Sequence, residues 1–388
     1  MKKSVIALAV GALVAATSAA QATTIYDKDG TQLAIGGRLQ GRYVGTNVDA
    51  GGMQPASGDA SLNASGRLSI EGRTHIAEGL DAFGYVEWDV SDYEENFNFA
   101  ARYAWVGLDF GSAGQLKGGT FEDAFYYVEE VMDIFEDMGG LSIPGMDDKM
   151  QGNLMYSWSD FGVDVNVSYQ TSKGRFYEGG NYWGANGNTD AGQQSMIEGA
   201  FGISAGYSTP DVVFGPISVR IGYGYTEYSS HKNDAGTYYN TTSYGGILDQ
   251  SYKYGISVAW GEFGEGPYVA LTYNYRSFKT RNNATTSSTY GNNLEVTGYG
   301  ILGGYTDDSG LGVHLALEFQ DAEMENGWDV SAATLPILIS YAFNDNFDVW
   351  FECRFDIGTD DDPQAGWVDY IGDSYDHTSF ILGLRFSF

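Results

Sequence analysis

Apolar and polar side chains alternate residue by residue along most of the chain. In the last segment Phe380, Leu382, Leu384, Phe386 and Phe388 share one parity, while Ser379, Ile381, Gly383, Arg385 and Ser387 share the other. Near the start, Leu33, Ile35 and Leu39 alternate with Arg38, Gln40 and Arg42; further on, Val86, Trp88 and Val90 alternate with Tyr85, Glu87 and Asp89. Leu311, Val313, Leu315, Leu317 and Phe319 are set against His314, Glu318 and Gln320, and Val349, Phe351, Cys353 and Phe355 against Glu352, Arg354 and Asp356. Successive strand residues point to opposite faces, so this pattern predicts strands with one apolar face. No convincing amphipathic helix is found outside 121–140.

About sixteen such segments are predicted, the even number of a bacterial membrane barrel: 33–46, 64–76, 80–92, 97–110, 114–120, 150–159, 162–171, 194–207, 214–228, 250–262, 266–280, 293–306, 311–323, 333–343, 346–358 and 378–388. Short turns (Ala77-Glu78-Gly79, Gly111-Ser112-Ala113, Ser159-Asp160, Asp307 to Gly310, Asn344-Asp345) alternate with long polar connections at 47–63, 121–149, 172–193, 229–249, 281–292 and 359–377. One short end and one long end is the transmembrane barrel pattern.

The first residues read differently. Lys2 and Lys3 precede an apolar run from Val5 to Ala16, and Ala20-Gln21-Ala22 fits a small-residue cleavage site. This predicts a secretory signal peptide over 1–22 and one barrel domain over 23–388. The apolar run is shorter than the roughly 20 residues a bilayer-spanning helix needs.

Composition removes other classes. With 20 basic and 51 acidic residues the formal charge is −31, which would repel nucleic-acid phosphates. The single Cys353 has no partner for a disulfide, and 43% apolar content is too high for a disordered acidic chain. Gly numbers 54 of 388 residues, about twice the ordinary usage of roughly 7%. A secreted sandwich or propeller would also alternate. Against that, the polar parity concentrates Arg, Glu and Tyr, as a wet lumen would. Tyr43, Trp88, Tyr93, Tyr103, Trp158, Tyr207, Tyr225, Tyr228, Trp260 and Phe388 lie near strand ends, as interfacial girdles do. A bilayer requires every backbone polar group to be paired, which a closed barrel achieves. About sixteen strands leave room for an aqueous channel.

The chain resembles the general diffusion porins of the Gram-negative outer membrane. The resemblance rests on Ile25-Tyr26-Asp27-Lys28-Asp29-Gly30, Gly66 to Gly72, Gly84-Tyr85-Val86-Glu87-Trp88, Arg102 to Leu108, Phe135-Glu136-Asp137-Met138-Gly139-Gly140 and the terminal Phe388. It runs from Ile25 to about Tyr156 and returns at the last strand; 172–370 match only as strand pattern. It implies an all-β transmembrane antiparallel barrel of about sixteen strands whose third loop folds inward. It also implies a homotrimer. By position, Arg38, Arg67, Arg102 and Lys149 would form a basic constriction wall, facing the loop acids Asp133 and Asp137. The alternation agrees independently for the three arginines: Arg38 opposes Leu39, Arg67 opposes Leu68 and Ile70, and Arg102 opposes Tyr103 and Trp105. A proline that often precedes the loop acid is Glu136 here, which adds charge and is expected to loosen that turn.

The candidate loop is acidic throughout: Glu122, Asp123, Glu129, Glu130, Asp133, Glu136 and Asp137, with no base between 118 and 140. Phe121, Phe125, Tyr126, Val128, Val131, Ile134, Phe135 and Met138 argue against full exposure and would anchor it to the inner wall. The implied activity is passive diffusion of ions and small hydrophilic solutes with modest cation preference. Partners would be outer-membrane lipid and lipopolysaccharide, small hydrophilic solutes and cations; no cofactor, metal or nucleic acid is expected. Asp360, Asp361 and Asp362 could bind a lipopolysaccharide-bridging cation, although a solvated acidic loop is the simpler reading. Competing readings are a sugar-specific porin with lumen aromatics (Tyr273, Tyr275 and Tyr299 are too few), an outer-membrane hydrolase and a filled structural barrel. Gly202-Ile203-Ser204-Ala205-Gly206 matches a nucleophile-elbow pattern but lies inside a predicted strand, whereas that motif needs a strand-to-helix turn. His75, His231, His314 and His377 lack metal-ligand spacing.

Overall fold

The computed structural model describes residues 22–46, 61–91, 98–144, 149–176, 195–229, 247–281, 293–325, 329–359 and 378–388. Its strands are β1 (Thr23–Lys28), β2 (Thr31–Thr46), β3 (Ser61–Ala77), β4 (Leu80–Ser91), β5 (Asn98–Asp109), β6 (Gln115–Glu122), β7 (Lys149–Asp160), β8 (Val163–Gln170) and β9 (Lys173–Phe176). They continue with β10 (Ser195–Ser208), β11 (Ile217–Tyr228), β12 (Ile247–Glu262), β13 (Glu265–Arg281), β14 (Leu294–Thr306), β15 (Leu311–Met324), β16 (Asp329–Asn344), β17 (Phe347–Asp356) and β18 (Ser379–Ser387).

All belong to one antiparallel sheet that closes on itself, because β18 pairs with β2 from Ser379 opposite Thr46 to Ser387 opposite Arg38. Phe388 completes the seam by exchanging two backbone hydrogen bonds with Gly37, at 2.8 and 2.9 Å. The short β1 folds back on the start of β2, and β9 prolongs β8 along β10. Sixteen strands therefore form the wall. Closure pairs every strand and leaves no edge for lipid to expose.

Alternation sorts the two faces. Along β15, Leu311, Val313, Leu315 and Leu317 are exposed while Gly312, His314, Ala316, Glu318 and Gln320 are buried. Leu39, Leu154, Ile203, Ile221, Ile256, Leu271, Ile301, Leu315, Leu382 and Leu384 all face outward. A soluble monomer does not present an apolar belt of that extent, and a bilayer covers it. No helix among the described residues is long and apolar enough to cross a membrane.

Three local expectations change. The turn expected at Ser159-Asp160 lies at Phe161-Gly162, both with positive φ. Tyr103 and Tyr228, expected in the girdles, are buried on the lumen side. Arg102 and Tyr103 do not alternate simply, because a β-bulge between Glu87 and Trp88 leaves Arg102 as the extra residue opposite β4. Tyr103 and Trp105 therefore face the lumen, and Arg102 reaches it through the bulge. Gly202 to Gly206 lie within β10, where the Asn166 amide donates to the Ser204 hydroxyl at 3.3 Å. Tyr273 and Tyr299 point outward. Residues 1–21, Tyr93, His231, Asp360 to Asp362 and His377 lie outside the described residues.

Candidate constriction site

The segment after β6 turns into the barrel. Asp123 starts the turn: its carboxylate accepts the Phe125 and Tyr126 amides at 2.9 and 3.3 Å, the usual task of an acidic residue ahead of a helical turn. A single helical turn, α1 (Tyr126–Glu129), follows. Phe125, Val128, Met132, Leu141 and Ile143 are almost fully buried against the wall.

The wall is made to receive them. A Cβ on Gly222 would stand 2.9 Å from Phe125 and from Val128; one on Gly298 would stand 2.5 Å from the Ser142 carbonyl oxygen. Glycine at these lumen positions lets the loop backbone lie flat on the sheet. Part of the glycine excess is explained by this close approach.

Polar anchors fix the loop along its course. The Tyr268 hydroxyl donates to the Val131 carbonyl at 2.9 Å, and Arg220 donates to the Tyr127 carbonyl at 2.8 Å and also to Glu130. Glu352 accepts the Glu136 and Asp137 amides at 2.5 and 2.9 Å, while Glu318 accepts the Ser142 hydroxyl at 2.8 Å. Glu318 also accepts the Gly140 amide at 3.3 Å, so these carboxylates on β17 and β15 hold loop backbone that has no secondary-structure partner.

The sequence-derived site residues fall into distinct groups. Glu122 ends β6, pairs across the ladder with Lys149 and accepts the Tyr103 hydroxyl. Asp123 lies 3.0 Å from Lys253. Glu129 is buried, and Glu130 is bound to Arg220. Asp133 accepts the Tyr126 hydroxyl. Glu136 is 2.7 Å from Arg385 and 4.0 Å from Arg38, and Asp137 is bound by Arg42. The turn at Glu136 is thus held rather than loosened, and a proline there would lack the N–H that Glu352 accepts.

On the facing wall, Arg38 stands directly opposite Arg67 in the β2–β3 ladder. Arg67 donates to Asp89 at 2.8 Å and Arg102 to Glu87 at 2.9 Å. Lys149 lies with its ammonium 5.7 Å from the centre of the Tyr103 ring. Burial pushes the Asp133 carboxyl above its ordinary range, against the opposing pull of the Tyr126 hydroxyl, Lys149 and Arg102. Burial also acts on Glu136, but Arg385 and Arg38 outweigh it and hold that carboxyl below its ordinary range.

Sequence reasoning missed Arg42, Arg385, Arg220, Lys253, Glu318 and Glu352. All six carry lumen parity on their strands. That signal marks them as inward but not as partners of a loop far away in the chain.

A closed barrel with an outward apolar belt and a lumen partly filled by its own charged loop defines a transmembrane channel protein. A family model described as Gram-negative porin matches residues 7–360, and the chain belongs to that family. Outer membrane porin C of Enterobacter cloacae is 27% identical over 92% of this chain and 93% of its own length. Outer membrane protein U of Vibrio parahaemolyticus is 25% identical over the whole of both chains. Among solved structures, OmpF of Salmonella typhi in complex with daunomycin superposes with a TM-score of 0.68 at 20% identity, covering 94% of this chain and 100% of that one. OmpT of Vibrio cholerae in its trimer form gives 0.64 at 13% identity, covering 93% and 100%. The chain is an outer-membrane channel for passive diffusion.

Proposed function

We propose that the channel passes ions and small hydrophilic solutes with a modest preference for cations, and that residues 123–144 set its narrowest section. The observation that carries this reading is the course of the loop: it follows the inner wall from β8, where the Ala124 amide donates to Ser168, to β17, where the Asp137 amide donates to Glu352. Arg38, Arg67, Arg102 and Lys149 act as the basic side of that section, and Glu122, Asp123, Glu129, Glu130, Asp133, Glu136 and Asp137 as the acidic side. Charges of both signs across a water-filled waist orient polar solutes and disfavour apolar ones. The formal charge of −31 biases the surplus towards cations. A local potential of about −30 mV is worth roughly 0.7 kcal/mol per unit charge, an approximately threefold enrichment of a monovalent cation.

The same reading takes residues 1–22 as a signal peptide removed on export and 23–388 as the mature barrel. It makes the working form a homotrimer surrounded by outer-membrane lipid and lipopolysaccharide. Single-channel recording of the refolded protein in planar bilayers under a salt gradient tests the selectivity. The expected reversal potential has the sign of cation preference and shrinks as salt rises, because the Debye length falls below about 8 Å above physiological ionic strength. A reversal potential of anion sign, or one unaffected by Asp133→Asn, overturns the assignment.

A further inference from the structure

Below the constriction, near the short-turn end, the lumen wall carries a second kind of surface. In the β4–β7 ladders Phe83 stands opposite Gly107, Gly107 opposite Lys117, and Lys117 opposite Met155. One step higher, Tyr85 stands opposite Trp105. The rings form a continuous shelf: Phe83 meets Trp105 edge-on at 5.5 Å, and Tyr85 stacks on Trp105 at 5.5 Å and 28°. Gly107 keeps the shelf open, since a Cβ there would stand 2.7 Å from the Phe83 ring.

Lys117 lies in the middle of this shelf. Its ammonium is 4.4 Å from the Phe121 ring centre and 5.3 Å from that of Trp105. Several other bases around the lumen have acids bound to them: Arg73 donates to Asp81 and Asp109, Arg67 to Asp89, Arg102 to Glu87 and Arg42 to Asp137. Lys117 has no ion pair and no hydrogen bond among the described residues. The residue is half-buried, and its ammonium rests on ring faces, which leave its donors for a visiting anion.

We propose that this shelf is a lumenal subsite for aromatic carboxylates, with the ring stacking at Phe83 and Trp105 and the carboxylate held by Lys117. The subsite rests on the channel reading and adds a solute class to it: a channel that disfavours anions at its waist carries one local stopping place for anions bearing a ring. Ring and charge act together, since a small aliphatic anion finds the same ammonium but no shelf, and a neutral arene finds the shelf but no charge partner.

The test is single-channel recording of the full refolded protein with benzoate, cyclohexanecarboxylate or acetate added on the short-turn side, in wild type, Lys117→Gln and Lys117→Arg. Benzoate is expected to produce resolved current interruptions that acetate does not, with cyclohexanecarboxylate weaker. Lys117→Gln should shorten the benzoate dwell about tenfold, the size expected for one charge-assisted hydrogen bond, and Lys117→Arg should retain it. Salt conductance in the same membranes reports the channel itself, so its absence would overturn the channel reading. Open channels in which benzoate behaves as acetate does, or in which Lys117→Gln leaves the benzoate dwell unchanged, overturn the subsite alone.

Discussion

Arg42 and Asp137 are 95 residues apart in sequence, yet one guanidinium nitrogen of Arg42 stands 2.5 Å from both carboxylate oxygens of Asp137. Arg42 projects from β2, at the seam where the first and last wall strands meet, and Asp137 sits at the far reach of the inward loop. Next to it Arg385, on the other side of the seam, holds Glu136. The loop tip is therefore fastened across the line of barrel closure, and two of its acids are neutralised locally rather than left facing the water path.

That pairing makes a signed prediction. Arg42→Gln removes a base and leaves the Asp137 charge uncompensated, so the cation-to-anion permeability ratio should rise about two- to threefold, as one unit charge in a potential of tens of millivolts implies. Asp137→Asn should lower the ratio by a similar factor, and the double variant should return towards wild type. Reversal potentials in a fixed salt gradient check all three. Equal ratios throughout would place the pair outside the ion path.

Glu352 makes a different contribution, since it accepts two loop amides and is itself completely buried. Glu352→Ala leaves two N–H groups without an acceptor at a cost of about 1–3 kcal/mol each, while Arg42 and Arg385 still hold the neighbouring carboxylates. The expected result is a channel that opens normally but shows frequent brief excursions from its main conductance level, roughly tenfold more often for each 1.4 kcal/mol lost. Open-channel noise measures this, and a quiet Glu352→Ala channel would mean that the ion pairs alone position the tip.

Much of the architecture is legible in the chain because lipid on one side and water on the other impose strict two-residue alternation. The sixteen wall strands fall within a few residues of their expected spans. The exceptions have physical causes. The short β1 has no buried side chain to mark it. The bulge at Arg102 shifts parity by one, so Tyr103 and Trp105 read as outward when they face the lumen. The loop anchors are hidden for another reason. Arg385 and Glu352 have the same inward parity as any lumen residue, and only the folded course of the loop brings Glu136 between them.

The outward belt predicts where charge is tolerated. Leu315 lies at the centre of the apolar run 311–319 on β15 and faces out. Leu315→Arg should destabilise the barrel by about 2–4 kcal/mol, the cost of a cation near the bilayer midplane. Glu71→Arg, at an exposed position of lumen parity, should change stability by no more than about 0.5 kcal/mol. Unfolding midpoints in denaturant, measured in lipid vesicles, distinguish the two. Equal losses would argue against lipid on the Leu315 face.

Acidification separates the loop acids by environment. Burial raises the Asp133 carboxyl despite its Tyr126 hydrogen bond, so Asp133 loses its charge above the ordinary carboxylate range as pH falls. Burial likewise raises Asp137 against the opposing Arg42, and its protonation leaves Arg42 unbalanced. Both changes remove negative charge from the waist and so lower cation preference. Glu136 behaves oppositely: Arg385 and Arg38 hold it below its ordinary range, so it stays ionised and keeps the tip fastened. Cation preference should therefore decline between neutral pH and the ordinary carboxylate range near about 4, without collapse of the conductance. In Asp133→Asn the preference should start lower and fall less over the same interval. Reversal potentials recorded across that range check the sign, and superimposable pH profiles for wild type and Asp133→Asn would remove Asp133 from the selectivity mechanism.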